Sequence, residues 1–354
     1  MPSSDNGGAR FSLSGLYRDH LFAAQPIQSM KAEILAANDP DAVQRASECI
    51  RRGEPIALPT ETVYGLAADA LNAAAVAKIF AIKERPFFDP LIVHFADAKW
   101  MRELARPDPA DRPLIEALTK RFWPGPLTLL LPKSERVLDL VTAELPMVAL
   151  RMPSHPIFRA IMRESDRPLA APSANRFGRV SPSRAEHVFD ELGSRIALIV
   201  DGGPTTFGIE STIIQPADGR IAILRPGPVT EEALAEIAPV VEEFAANKII
   251  APGQTPSHYA PNKPVRLLTP SIRVEDSETS GLLCWGKHRR SESFAAVRSL
   301  SEDGDLAEAA ARLFSLLREF DQLPLERIYV EPVPETGVGK AIMNRLRRAA
   351  FSEK

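Results

Sequence analysis

Four short segments of the 354-residue chain carry side chains suited to gripping anionic groups. In Lys83-Glu84-Arg85-Pro86, an Ala-rich helical pattern stops because Pro86 excludes Arg85 from the α region. Lys83 and Arg85 are therefore expected to project from a helix end into a loop. Two cations there suit either the helix dipole or an anionic ligand. Pro172-Ser173-Ala174-Asn175 follows the apolar strand pattern at 169–171, and ligands of α/β sheets gather beyond the carboxyl ends of strands. Arg151 ends a strand pattern at 148–151. His94 interrupts the apolar run 91–95, where by itself it reads as a satisfied core histidine.

Common nucleotide fingerprints do not account for the chain. Gly337-Val338-Gly339-Lys340 resembles part of a P-loop, but Pro334 stands at the first glycine and Ala341 at the magnesium-binding hydroxyl. Tight strand-to-helix packing explains that G-x-G. No H-E-x-x-H, G-x-S-x-G or paired-His spacing is present.

The elements that must position these residues alternate between strand and helix. Regular structure is expected from Asp39-Pro40, with a helix stopping at Gly53 and Cys49 beside its apolar stripe. Strands are predicted at 55–59, 91–95, 127–131, 148–151, 169–171 and 196–200. Helices are predicted at 72–83, 111–122, 156–163, 183–192 and 231–237, the fourth opened by a capping box Ser183-x-x-Glu186. Residues 211–215 and 220–225 read as a hairpin around Pro-Ala-Asp-Gly. Phe122 and Trp123 read as core. The mixed order implies an α/β domain with a twisted mixed sheet. A proline-rich stretch, 246–264, reads as a semi-rigid linker. A smaller α/β unit follows, with strands at 265–268, 282–285 and 328–330 and helices at 306–320 and 339–350.

Composition narrows the class. Lys and Arg number 43 against 46 Asp and Glu, a formal charge of −3, which argues against bulk-charge nucleic-acid binding but leaves room for a local basic patch. Apolar runs fall far short of the ~18 residues that span a bilayer. With no secretory signal pattern at the start, a cytoplasmic protein is expected. Two cysteines build neither a disulfide framework nor a cysteine zinc site. The expected division is a loose extension at 1–30, a first domain at 31–238, the linker at 239–264 and a second domain at 265–354.

Five segments occur together in one order: PTETVYGLAADA (59–70), KERPFFDPLIVH (83–94), FWPGPLTLLL (122–131), APSANRFGRVSPS (171–183) and DGGPTTFGIESTII (201–214). This set resembles the YrdC/Sua5 family of threonylcarbamoyl-AMP synthases. SHYAPNKPV (257–265) and GVGKAIMNRLRRAA (337–350) resemble the two-domain Sua5 type, which implies a YrdC-like domain and a smaller Rossmann-like C-terminal domain. The reaction implied joins L-threonine, bicarbonate or CO2, and ATP into L-threonylcarbamoyl-AMP and pyrophosphate. The product then passes to a threonylcarbamoyl transferase complex acting on tRNA.

By this resemblance Lys83, Arg85, Asp89, Met147, Ser173, Asn175, Ser181, Arg225 and Tyr259 are placed on ATP, with Lys83 and Arg85 as the catalytic cations. Thr62, His94, Arg151, Ala171 and Ser211 are placed on threonine. Arg151 suits the carboxylate because a planar guanidinium binds it bidentately. Mg2+ is expected on the ATP phosphates, with no protein ligand. Two positions stand apart: Asp89 occupies an asparagine position of the pattern, and Met147 can contact nucleotide only through its backbone. The alternative is a double-stranded RNA-binding module of this fold without turnover, marked by steep salt dependence. A hydrogenase maturation factor sharing the domain would need zinc fingers, and two cysteines cannot build them.

Overall fold

The computed structural model describes residues 31–241, 259–269, 272, 274, 276–287 and 293–351. The expected N-terminal extension and residues 246–258 of the proline-rich stretch lie outside the described residues. The larger sheet contains β1 (Glu33–Ala36), β2 (Ile56–Leu58), β3 (Gly65–Asp69), β4 (Ile92–His94), β5 (Leu127–Pro132), β6 (Met147–Arg151), β7 (Leu169–Ala170), β8 (Leu198–Asp201), β9 (Thr212–Ala217), β10 (Arg220–Arg225) and β11 (Val240–Val241). Their spatial order is β1-β8-β2-β3-β7-β4-β6-β5-β9-β10-β11. Parallel pairs such as β4 with β6 stand among antiparallel ones such as β5 with β6, so the sheet is mixed. Helices α1 (Ala42–Arg51), α2 (Ala73–Lys83), α3 (Ala98–Leu104), α4 (Arg112–Phe122), α5 (Asp139–Thr142), α6 (Pro156–Ser165), α7 (Ala185–Leu192) and α8 (Glu231–Ala235) connect the strands.

Register fixes which face does what. His94 lies opposite Arg151, Arg151 opposite Thr128, and Thr128 opposite Ile213, giving one row across four strands. Ile92, Ala149 and Leu130 form the adjacent row. Because side chains alternate along a strand, the intervening Val93, Leu150, Leu127, Leu129 and Ile214 point the other way. They join the main apolar core with Ile79, Phe80, Phe95 and Leu118. One face of these strands therefore supplies stability and the other carries polar groups.

The second unit is a four-stranded parallel sheet: β12 (Val265–Leu267), β13 (Gly281–Cys284), β14 (Ala296–Ser299) and β15 (Ile328–Val330), in the order β12-β15-β13-β14. Helices α9 (Leu306–Gln322) and α10 (Gly339–Ala349) accompany it. Its apolar cluster includes Leu313, Phe314, Phe320, Ile342 and Leu346, and also Val63, Val180 and Ile209 from the first unit. A Cβ on Gly339 would lie 1.9 Å from the Pro334 carbonyl oxygen, so packing accounts for Gly339, whereas Gly337 has nothing packed against it and takes a left-handed conformation at φ 51°.

Several expectations need correction. Regular structure starts before Asp39: β1 pairs in parallel with β8 at the sheet edge, and its pattern was obscure because only Leu35 turns inward. β3 reads weakly as a strand because Gly65-Leu-Ala-Ala-Asp is small-residue rich, yet it is wholly buried between β2 and β7. α3 and β14 were also unanticipated. No capping box opens α7, whose N-cap is Arg184; the Ser183 hydroxyl instead meets Ser315 Oγ of α9 at 2.8 Å. The hairpin turn is Asp218-Gly219, at φ 52° and 69°, while Pro216 and Ala217 remain in the strand. Phe122 and Trp123 are half-buried rather than core, whereas Cys49 does pack in an apolar cluster. Among the described residues no helix is long and apolar enough to cross a membrane.

Where the units meet, Gly208 adopts φ 67°, and a Cβ there would sit 2.5 Å from the Ala311 backbone of α9. Gly208→Ala is expected to destabilise the chain by about 1–3 kcal/mol, combining overpacking with left-handed strain. Thermal unfolding of purified variant and parent checks this, and an unchanged midpoint counts against the packing assigned to Gly208.

Candidate active site

A cavity opens against the polar sheet face. Its lining brings together Thr62, Arg85, His94, Arg151, Ala171, Ser173, Ser211, Arg225 and Tyr259 from segments far apart in sequence. Strand β4 presents His94, β6 presents Arg151, and Ser211 immediately precedes β9. Arg225 closes β10. The predicted gathering beyond strand ends is thus only partly right. In a mixed sheet the strands share no single carboxyl edge, and the cavity extends over the face.

Three guanidiniums line this cavity, and each is held by its own set of partners. Arg151 donates to Glu61 Oε1 at 2.6 Å, to Thr62 Oγ1 at 3.0 Å and to the Gly125 carbonyl at 3.3 Å. An arginine has five N–H donors, so N–H groups remain for a ligand. Burial pushes the Glu61 carboxyl up, but the adjacent Arg151 outweighs it and holds the group below the ordinary carboxylate range. Removing one partner of such a buried pair costs about 3–5 kcal/mol. Arg85 binds the Asp89 and Pro90 carbonyls at 3.1 and 2.8 Å and pairs with the Asp89 carboxylate at 2.9 Å. Arg225 donates to the Ser211 carbonyl at 2.9 Å and to Ser211 Oγ at 3.1 Å. Burial lowers Arg225 to about 10.

Hydroxyls complete the lining. Thr60 Oγ1 donates to the Val63 carbonyl at 2.7 Å, so the 2.8 Å contact with Thr62 Oγ1 takes its proton from Thr62. Ser211 Oγ also meets Thr128 Oγ1 at 2.8 Å.

Other predicted residues surround the cavity without lining it. Lys83, at the end of α2, is 1% exposed and donates to the Ser173 and Asn175 carbonyls. It therefore braces the Ser173 loop from behind rather than projecting freely. The loop expected for Arg85 does form, because Glu84 takes the left-handed conformation at φ 54°. Asn175 Nδ2 donates to the Arg176 and Arg179 carbonyls at 2.7 and 3.0 Å. Ser181 donates to Glu210 Oε1 at 2.5 Å. Asp89 is fully buried against Arg85, with burial raising its carboxyl and Arg85 opposing that rise. Met147 packs at the edge of a small apolar cluster with Leu130 and Leu224.

Sequence reading missed Glu61 and Glu210. Glu61 was visible as an acid between two threonines in a segment otherwise matched to a basic site. Glu210 lines the cavity directly. Among the described residues no group of three or more His, Cys, Asp or Glu could hold a metal ion. The Glu210 carboxylate is occupied by Ser181 and by Arg345.

A mixed α/β sheet followed by a smaller parallel sheet unit is a Sua5-like fold, the fold of a class of nucleotidyltransferases. Residues 48–227 match the family described as Telomere recombination, and residues 229–351 match the one described as Threonylcarbamoyl-AMP synthase, C-terminal domain. The threonylcarbamoyl-AMP synthase of Bacillus subtilis is 44% identical over 331 residues, covering 89% of this chain and 94% of that protein. The Pyrococcus abyssi enzyme of the same name is 40% identical, covering 87% and 94%. The crystal structure of P. abyssi Sua5 complexed with L-threonine superposes with a TM-score of 0.79 at 37% identity, covering 90% of this chain and 98% of that one. The chain belongs to the Sua5-type threonylcarbamoyl-AMP synthases.

His94 has a buried Nδ1 without a hydrogen-bond partner. Burial, reinforced by Arg151, lowers its pKa to about 3. The unfolded chain protonates this histidine near 6.5, so the stability attached to neutral His94 is complete above that pH. It is lost as pH falls toward 3, at up to about 1.4 kcal/mol per unit. Denaturant unfolding between pH 7 and 5 is expected to show a shallower loss in His94→Asn than in the parent. Identical slopes would show that His94 does not stay neutral in the folded state.

Proposed function

We propose that the cavity binds ATP and L-threonine side by side and adenylates the carbamate of threonine. The observation carrying this reading is the shared lining: Arg85, Arg225, Ser173 and Tyr259 beside Thr62, His94, Arg151, Ala171 and Ser211. The threonine amine adds to CO2 derived from bicarbonate, releasing a proton and forming an N–C bond. The carbamate oxygen then bonds to the α-phosphorus of ATP, and the bond from that phosphorus to the bridging oxygen breaks to expel pyrophosphate. The substrate supplies the nucleophile, so the chain needs none.

The residues then act by placement and charge. Arg85 and Arg225 face the triphosphate and offset negative charge that grows in the transition state. Lys83 fixes the Ser173 loop and adds positive charge behind it, with Ser173, Asn175 and Ser181 orienting the nucleotide and Tyr259 lying over it. Arg151 receives the threonine carboxylate, while Thr62, Ser211 and neutral His94 meet its polar groups and the Ala171 backbone closes that side. Holding both reactants in contact lowers the barrier by about 7–11 kcal/mol in favourable cases. Mg2+ carried by the ATP phosphates would neutralise the leaving pyrophosphate. Asp89 and Met147 serve the site indirectly in this reading, Asp89 by seating Arg85.

We assign the catalytic unit to 31–238 and the second unit to 265–354. A cytoplasmic setting, with delivery to a transferase complex that modifies tRNA, accords with the product. The RNA-binding alternative is separated from the enzyme by turnover. Pyrophosphate release is expected only when threonine, bicarbonate and ATP are all present, and release that persists without threonine overturns the proposal. Arg151→Ala, combined with Glu61→Gln so that no buried charge is left alone, is expected to raise the KM for threonine roughly tenfold to a hundredfold. The KM for ATP should move much less.

Lys83 gives a second test. Burial first, then Arg85, lowers its pKa to about 7. Bound phosphates favour its charged form, so ATP binding takes up a proton above that pH. ATP affinity is expected to weaken from pH 7 to 9, by up to about tenfold per unit. Lys83→Met should bind ATP weakly without that slope, as calorimetric titration would show. A parent slope equal to the variant's shows that the charge of Lys83 does not act on bound phosphates.

A further inference from the structure

The cavity that must accept a triphosphate has a carboxylate in its own wall. Glu210 lines it beside Ser211 and Arg225. An uncompensated negative charge there opposes nucleotide binding. What compensates it comes from the other unit. Arg345 of α10 has a side chain that is 0% exposed, and its Nε donates to Glu210 Oε2 at 3.0 Å. Its Nη1 donates to the Pro226 carbonyl at 2.5 Å, and its Nη2 reaches the Glu210 carbonyl at 3.5 Å. Ser181 occupies the remaining carboxylate oxygen. The guanidinium also lies 5.4 Å over the Tyr259 ring.

These contacts bracket the cavity wall. Glu210 precedes Ser211, and Pro226 follows Arg225, so one guanidinium grips the backbone beside both lining residues. A helix whose other buried residues are Gly339, Ala341, Ile342, Met343, Leu346 and Ala349 could have filled that position with leucine. A purely adhesive role would favour it, because burying an ion pair is often no better for stability than apolar packing.

We infer that Arg345 is a positioning residue of the nucleotide site, through which the C-terminal unit cancels the charge of Glu210 and holds Ser211 and Arg225 in place. This rests on the reading of the cavity as the ATP site. It gives the second unit a role that needs no substrate contact of its own: it completes the electrostatics of the first.

The test is ATP affinity of the intact chain by calorimetry, with thermal midpoints alongside. Arg345→Met is expected to weaken ATP binding roughly tenfold or more, since Glu210 is left charged near the phosphates. Adding Glu210→Gln to that variant should restore affinity to within about threefold of the parent, the signature of direct coupling. Glu210→Gln alone should tighten ATP binding, because Arg345 then adds unopposed positive charge. A folded Arg345→Met that binds ATP like the parent overturns the inference, as does a double variant no better than the single. If Arg345→Met does not fold, Glu210→Gln alone decides, and weaker binding refutes the role. Should the parent itself bind no ATP, the assignment of the cavity fails, a result distinct from failure of the Arg345 role.

Discussion

Positive charge taken out of water must be partnered before any substrate arrives, and that constraint organises this molecule. Arg85, Arg151 and Arg225 are each less than a tenth exposed, and Lys83 is fully enclosed. Like charges gathered this way repel one another and lose hydration. The chain meets the cost with Asp89 beneath Arg85, Glu61 beside Arg151, and carbonyl oxygens for Arg225 and Lys83. Partnering stops short of saturation at Arg151, and the remaining donors suit an incoming carboxylate. In the proposed assignment, these partners hold the cations in place before any anion arrives.

The sheet makes this arrangement rigid. The row from His94 through Arg151 and Thr128 to Ile213 is set by backbone register, so a slip of one residue would send every polar group into the apolar core. Behind it, Leu129, Leu150 and Val93 are buried on the opposite face. Loops contribute the rest: Thr60 and Thr62, the Ser173 to Asn175 segment braced by Lys83, and the turn that seats Arg85. Rigid strands carry the threonine side and braced loops carry much of the nucleotide side, in the proposed assignment.

Most of the fold and the composition of the cavity were legible in the sequence. Helix ends marked by Pro86 and Gly53, apolar runs such as Leu127 to Leu131, and the linked motifs pointed to the right elements. What stayed hidden has physical causes. β1 has one inward residue, and β3 is built of glycine and alanine, which give no hydrophobic period. The capping box at Ser183 was overridden by a tertiary bond to Ser315, a contact no local pattern announces. Lys83 and Asp89 were legible as types but not as orientations, since burial depends on the whole chain. The ion pairs of Glu61 and Glu210 are pairings at long range. Arg345 left one trace: a charge set among the apolar positions of an amphipathic helix.

The shared apolar cluster of the two units has a bearing on how this chain tolerates damage. Val63 belongs both to the cavity lining and to the cluster that holds Phe314 and Ile342. Prising the units apart would wet a seam of oily side chains, and newly wetted seams of that kind stick to one another. Parting the units would therefore wet the rim of the cavity as well as the seam, because Val63 stands in both.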